Sequence, residues 1–176
     1  LTVLPSNKSW DFTFEFDDYS HVDYEKSGRV IIDGSFITGD SKVVQASISM
    51  NDMFMDSVAL SSAFFMNESL AEKIKNTSKV LSPYIFSNEI YFSTDFSSFS
   101  FNSPFFIIAN TQKEGELLTF ALDGSNQTIS LSNLDLQFGN QTAHAVASVD
   151  FANGIDDFSF FCDLIFNSMP YNFMGN

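Results

Sequence analysis

Residues 128–151 read TISLSNLDLQFGNQTAHAVASVDF. Apolar and polar residues alternate on both sides of Gly139-Asn140. That spacing predicts two strands, Thr128 to Phe138 and Gln141 to Phe151, folded back on each other through a short turn. Inside the first strand the parity changes. Ile129 and Leu131 occupy odd positions, whereas Leu134, Leu136 and Phe138 occupy even ones. A bulge near Ser132-Asn133 reconciles the two halves.

The same grammar extends outward in both directions. Downstream, Asp157 to Asn167 and Met169 to Phe173 are strand candidates, with turns at Asn153-Gly154 and Asn167-Ser168. Asn153-Gly154 is the best type I′ candidate. Upstream, Glu116 to Asp123 is a strand, flanked by turns at Lys113-Glu114-Gly115 and Gly124-Ser125-Asn126. Five strands in succession with short connections predict an antiparallel meander, with no long crossover. Trp10, Phe12, Phe14 and Phe16 alternate with Asp11, Thr13, Glu15 and Asp17, so the first long strand has one greasy and one acidic face. Arg29 to Ile37, Val43 to Met50, Val58 to Phe65, Ile85 to Asp95, Phe99 to Phe101 and Phe105 to Ala109 are further strand candidates. Asn102-Ser103-Pro104 is expected to break the chain between the last two. Gly39-Asp40 marks a turn. Asn67 to Leu81 departs from the pattern. Ser69-Leu70-Ala71-Glu72 has capping-box spacing, and Leu70, Ile74 and Leu81 fall on one helical face, which predicts one short helix over residues 69–79. That helix holds Lys73, Lys75 and Lys79. Asp33-Gly34-Ser35 and Asp123-Gly124-Ser125, each beside a strand, hint at internal repetition.

Composition narrows the function. The chain has 176 residues, 22 of them Phe, and 8 Lys+Arg stand against 22 Asp+Glu for a net charge of −14. Such a chain repels phosphate backbones, which argues against nucleic-acid binding and against docking on an anionic bilayer. Leu1 at the start and the lack of a signal-like run suggest a segment of a longer repetitive protein. Cys162 is the single cysteine, which excludes internal disulfides and zinc motifs built on several cysteines. It alternates with Phe158, Phe160, Leu164 and Phe166 and reads as a small buried hydrophobe. His144 falls on the outward parity of its strand. No Ser-His-Asp or Cys-His order and no G-x-S-x-G occur, so no catalysis is expected. The acidic run Asp17 to Glu25, which includes His21, lacks the glycine and spacing of an EF-hand and reads as a solvated loop. Asn7, Asn67, Asn76, Asn126 and Asn140 head N-x-[ST] sequons. Ile31, Ile37, Phe65, Phe106, Ile108, Phe161 and Ile165 look apolar on the opposite face. They suggest a second contact there, such as the helix.

Residues 129–151 followed by 154–175 have the cadence of strand, short turn and small-residue strand that resembles the C-terminal β-repeats of the TamB/AsmA-like envelope proteins. The resemblance is clearest over residues 115–176 and extends over 28–65 and 85–110. The helical insert and the heavy use of Phe depart from it. The resemblance implies a mostly β fold, an antiparallel meander of hairpins curled into an open hydrophobic groove. It implies a non-enzymatic conduit that carries phospholipid acyl chains across the bacterial periplasm and supports outer-membrane biogenesis and protein assembly. It further implies an inner-membrane anchor in the full-length protein, an outer-membrane Omp85-type barrel as partner, and no cofactor or metal. On this reading Trp10, Phe12, Phe14, Phe16, Phe158, Phe160, Leu164 and Phe166 line the groove, with Leu134, Leu136 and Phe138 on the neighbouring strand. Two other classes compete. An extracellular β-sandwich adhesion or carbohydrate-binding module would have a closed core and a surface site of Trp, Tyr and carboxylates. A glycosidase-like enzyme would have two carboxylates in a cleft.

Overall fold

A computed structural model of the chain describes residues 2–5, 9–18, 28–39, 42–63, 68–151, 154 and 157–175. The elements are β1 (Thr2–Pro5), β2 (Ser9–Asp18), β3 (Gly28–Ile37), β4 (Val43–Phe54), α1 (Met55–Ala63), α2 (Glu68–Leu81), β5 (Tyr84–Thr94), β6 (Phe99–Asn110), β7 (Glu116–Ser125), β8 (Thr128–Phe138), β9 (Gln141–Asp150), β10 (Ser159–Phe166) and β11 (Met169–Gly175). Every strand pairs antiparallel with its neighbour in the chain, so the sheet order is β1 through β11. The result is mostly β: an open, curled antiparallel meander with β1 and β11 as its edges.

Short connections enforce that order. Two-residue turns close β8–β9 at Gly139-Asn140 and β10–β11 at Asn167-Ser168. Asn167 and Ser168 have φ of 46° and 67°, the consecutive positive values of a type I′ turn, so the best type I′ site lies here. At the other predicted turn, residues 151–158 separate β9 from β10, too many for a two-residue hairpin. Asn153 lies outside the described residues. Gly124 is a strand residue of β7 rather than part of a turn, which falls at Asn126-Gln127 instead.

Two helices replace the single one expected. α1 occupies most of the predicted strand from Val58 to Phe65. Met55–Ala63 holds one β-branched residue, Val58, and never alternates polar with apolar, so its local preference is helical. Asp56 lies in its first turn, where its charge favours the helix dipole, and its Oδ1 accepts the Ser57 N–H at 2.8 Å. α2 packs on α1, and α1 alone of the two touches β4 and β5 appreciably. The helices therefore sit by β4 and β5 at one end of the sheet, and among the described residues neither packs across a face of it; Phe65 lies outside the described residues. Asn102-Ser103-Pro104 does not break the chain either. β6 is continuous, with a bulge between Ser103 and Phe106 that accommodates the proline.

One sheet with helices at one end buries little. Among the described residues the buried apolar side chains are Val30, Met53, Phe54, Ala143 and Ala145. Accessible surface is 11823 Å², against about 8,600 Å² expected of a compact monomer of 19.7 kDa. Among the described residues no second sheet faces the first, so a sandwich with a closed core does not form.

Candidate functional site: the apolar face

Antiparallel partners point to the same side of a sheet, so the register decides which side chains share a face. One row crosses ten strands, β2 to β11, without a break: Phe12, Gly34, Ala46, Phe92, Phe101, Gly124, Ile129, Val149, Phe160 and Gly175. Every member is apolar or glycine. The row one residue over points the other way and reads Thr13, Asp33, Ser47, Tyr91, Asn102, Asp123, Ser130 and Ser148 over β2 to β9.

Ten of the eleven groove residues expected from sequence fall on the apolar side. Trp10, Phe12, Phe14 and Phe16 pair with Phe36, Gly34, Ile32 and Val30 of β3. Leu134, Leu136 and Phe138 of β8 lie on the same face, and so do Phe160, Leu164 and Phe166 of β10. Phe158 precedes β10 and sets its ring 6.3 Å from that of Phe151. The register corrects one adjacency: β8 and β10 are not neighbours. β9 lies between them, and the partners run Leu134–Ala145–Leu164 and Leu136–Ala143–Phe166. The larger side chains reach over the alanines, which is why Ala143 and Ala145 are buried on an otherwise open face. β2 and β8 stand six strands apart, about 29 Å at roughly 4.8 Å per strand, so the eleven residues pave a surface rather than line one pocket.

Glycine completes the paving. A Cβ at Gly34 would collide with the ring of Phe12, one at Gly124 with Phe101, and one at Gly175 with Phe160. Each ring lies across the glycine of the adjacent strand. The two Asp-Gly-Ser segments are thus equivalent in structure: each supplies the glycine that a Phe covers. Phe106 and Phe120 stack at 4.6 Å with planes 9° apart. Phe106 and Ile108 belong to this apolar face, not the opposite one, because the β6 bulge reverses parity after Ser103. The β8 bulge between Leu131 and Leu134 does the same, with Asn133 at φ 52°. Asn88 and Ser103 also face this side and are 2% and 1% exposed. The Ser103 hydroxyl donates to the Phe105 carbonyl at 3.1 Å, and the Asn88 Oδ1 has no partner. At the helix end the face is rimmed by a polar cluster. Glu116 Oε2 accepts from Asn110 Nδ2 at 2.6 Å and from the Tyr84 hydroxyl at 3.0 Å, and Lys113 Nζ lies 3.2 Å from its Oε1. Desolvation would raise the Glu116 carboxyl, but the hydrogen bonds from Asn110, Lys113 and Tyr84 outweigh it and hold the group below its ordinary range.

The opposite face is mainly polar from β2 to β9, and it carries Ile31, Ile37, Phe161 and Ile165 as the sequence predicted. Arg29 pairs with Glu15, Thr13 Oγ1 donates to Asp33 Oδ1 at 2.6 Å, and Asn172 donates to Asp163. His144 Nδ1 and Asp135 Oδ1 are 2.8 Å apart across β8 and β9, so His144 faces outward and has a structural partner. Phe105, Ile107 and Leu117 form an exposed apolar island there. Cys162 is half-buried on the apolar face, opposite Ala147 and Phe173, rather than sunk in a core. The acidic run lies outside the described residues beyond Asp18, as do His21, Asn7 and Asn67. Among the described residues no group of His, Cys, Asp and Glu could hold a metal ion, and no helix is long and apolar enough to cross a membrane. Asn126 is engaged in the fold: its Oδ1 accepts the Phe99 N–H at 2.5 Å and its Nδ2 donates to the Ser97 carbonyl at 3.1 Å. Sequence reasoning passed over Phe92, Phe101 and Phe120, which occupy the middle of the apolar face. Their signal is the same alternation, hidden where bulges interrupt it.

Comparison with protein-family models, curated proteins and solved structures finds no match to this chain.

Proposed function

We propose that this chain is a non-enzymatic length of hydrophobic conduit, whose apolar face carries the acyl chains of phospholipids. The observation that supports this reading is the apolar row that crosses ten strands, with no second sheet above it among the described residues. Moving an acyl chain out of water is favourable by about 0.8 kcal/mol per CH₂, and a continuous wall keeps that gain at every step along it. Rings laid over glycines fill the space beside Gly34, Gly124 and Gly175, which suits a chain that must slide rather than lodge. In this reading the protein is a segment of a TamB/AsmA-like envelope protein, anchored in the inner membrane and spanning the periplasm. An Omp85-type barrel is its outer-membrane partner, and lipid delivery serves outer-membrane biogenesis and protein assembly. The polar face keeps the outside of the conduit wetted.

Lipid extraction and mass spectrometry of the gently purified chain, with spin-labelled phospholipid binding alongside, test this. Stoichiometric phospholipid is expected. The double variant Phe14→Asp/Phe160→Asp should lose it while keeping its β-sheet circular dichroism. A lipid-free compact monomer that ignores added phospholipid would overturn the reading.

A further inference from the structure

The polar face carries a hollow that the conduit does not use. It has a volume of about 560 Å³ and lies over β3 to β6, floored by the backbone around Gly34, Ala46, Phe92 and Phe101. Its walls come from the polar row and its flanks: Asp33, Gln45, Ser47, Tyr91, Ser93 and Asn102. Two of its side chains are engaged, Asp33 by Thr13 and Tyr91 by Glu89. The other polar side chains of the walls are not. Gln45, Ser47, Ser93 and Asn102 make no side-chain hydrogen bond to any described residue, so two amides and two hydroxyls are left to a ligand or to water. Tyr91 is 47% exposed. Its hydroxyl donates to Glu89 Oε1 at 2.7 Å, which steadies the ring at the side of the hollow.

The chemistry selects the ligand by elimination. No Lys, Arg or His lines the hollow, and Asp33 does, so phosphates, sulfates and other anions are repelled. One carboxylate is too few for a hard cation, which takes six or more oxygens. An apolar guest would strand the free amides and hydroxyls without partners. What remains is a neutral molecule rich in hydroxyls, with C–H faces that can stack on a phenol ring. The volume lies within the range of small-ligand sites, roughly 300–1,000 Å³. We propose that this hollow binds a neutral oligosaccharide, with the ring of Tyr91 as stacking platform and Gln45, Asn102 and Asp33 hydrogen-bonding the sugar hydroxyls. The proposal stands independently of lipid carriage, because it uses the other face.

The test titrates the whole chain with maltotriose, cellotriose and chitotriose and follows saturation transfer by NMR. At least one trisaccharide is expected to receive transfer, most strongly from the Tyr91 ring protons. Tyr91→Ala should weaken binding about tenfold, which is about 1.4 kcal/mol. Ser93→Leu, which fills the hollow and leaves the Tyr91 hydroxyl and its Glu89 partner in place, should weaken it too. Both variants should keep the parent circular dichroism. Phe14→Asp on the apolar face should leave sugar binding unchanged even where lipid is lost. Failure of all three sugars to bind overturns the proposal. So does binding that survives both Tyr91→Ala and Ser93→Leu, or binding of inorganic phosphate in place of sugar.

Discussion

Two rows of the same sheet, one residue apart, behave as different materials. The row through Phe12, Phe92 and Phe101 is paved: rings lie over glycines, and large side chains close over Ala143 and Ala145. The row through Asp33, Ser47 and Tyr91 is hollowed, because serines between larger neighbours leave space unfilled. Both rows share one backbone, so the contrast comes from side-chain size and from the period of two alone. A surface that must pass flexible chains has to be smooth, whereas one that must hold a defined molecule needs depth. Along these two rows the sheet is filled where it is apolar and hollowed where it is polar.

The contrast depends on parity, and parity is kept by bulges. Between Leu131 and Leu134 one strand carries an extra residue, and Asn133 takes the left-handed conformation there. Deleting Asn133 should therefore have the largest effect. Ile129 and Leu131 would turn to the polar face, or else Leu134, Leu136 and Phe138 would. Neither outcome keeps the apolar row intact between β7 and β9. Loss of cooperative thermal unfolding, with exposed apolar surface reported by a hydrophobic dye, is the expected result. A deletion variant that unfolds like the parent would show that the sheet tolerates a mixed face.

This bulge was legible because the apolar residues of β8 change parity in the sequence itself. The β6 bulge was not. Phe105, Phe106, Ile107 and Ile108 are apolar on both parities, so alternation there carries no information, and Phe106 and Ile108 were placed on the wrong side. β4 poses a related problem: Met53 and Phe54 are buried beside a register shift after Met50, and a helix follows at once. Strand and helix abut without a turn residue, so no local signal marks where β4 ends and α1 begins. The apolar face of β2 was legible because Trp10 to Phe16 alternates without ambiguity, whereas in β10 Phe161 and Ile165 are apolar on the other parity as well. The hollow was not, because it exists only once β3 to β6 are adjacent and Tyr91 stands among serines drawn from separate strands. The Phe–Gly pairs share that limit, since the ring and its glycine lie on different strands.

A smaller effect sharpens the comparison at a single position. At Gly34, an added Cβ meets both the Phe12 ring and the Gln45 carbonyl oxygen, 2.8 Å away. The ring can swing aside, but the backbone oxygen cannot do so cheaply. Gly34→Val should destabilise the chain by about 1–3 kcal/mol, the usual cost of overpacking. The control is Ser47→Val, one strand over on the hollowed face. It should stay within about 0.5 kcal/mol of the parent, because the space is open. Urea unfolding of both variants reads the difference. Equal effects would mean that the two faces are packed alike.

The smallest expected effect belongs to the polar face's own pairing. His144 and Asp135 meet across β8 and β9 with both side chains well exposed, 49% and 64%. Exposed cross-strand pairs contribute roughly 0.2–1 kcal/mol, and solvent screening puts this one toward the low end. His144→Ala should accordingly cost less than about 1 kcal/mol in urea unfolding, far below the effect at Gly34. Its partner on the other side of the same strand pair is a useful foil. Ala145 is buried beneath Leu134 and Leu164, so Ala145→Asp would place a charge where Leu side chains now close over a methyl group. The residues are adjacent in the chain, and both substitutions change local charge and size. If position 144 proved as sensitive as position 145, the polar face would be buried by something outside these strands. If 144 is tolerant and 145 is not, tight side-chain packing on one face gives way to loose packing on the other within a single residue step.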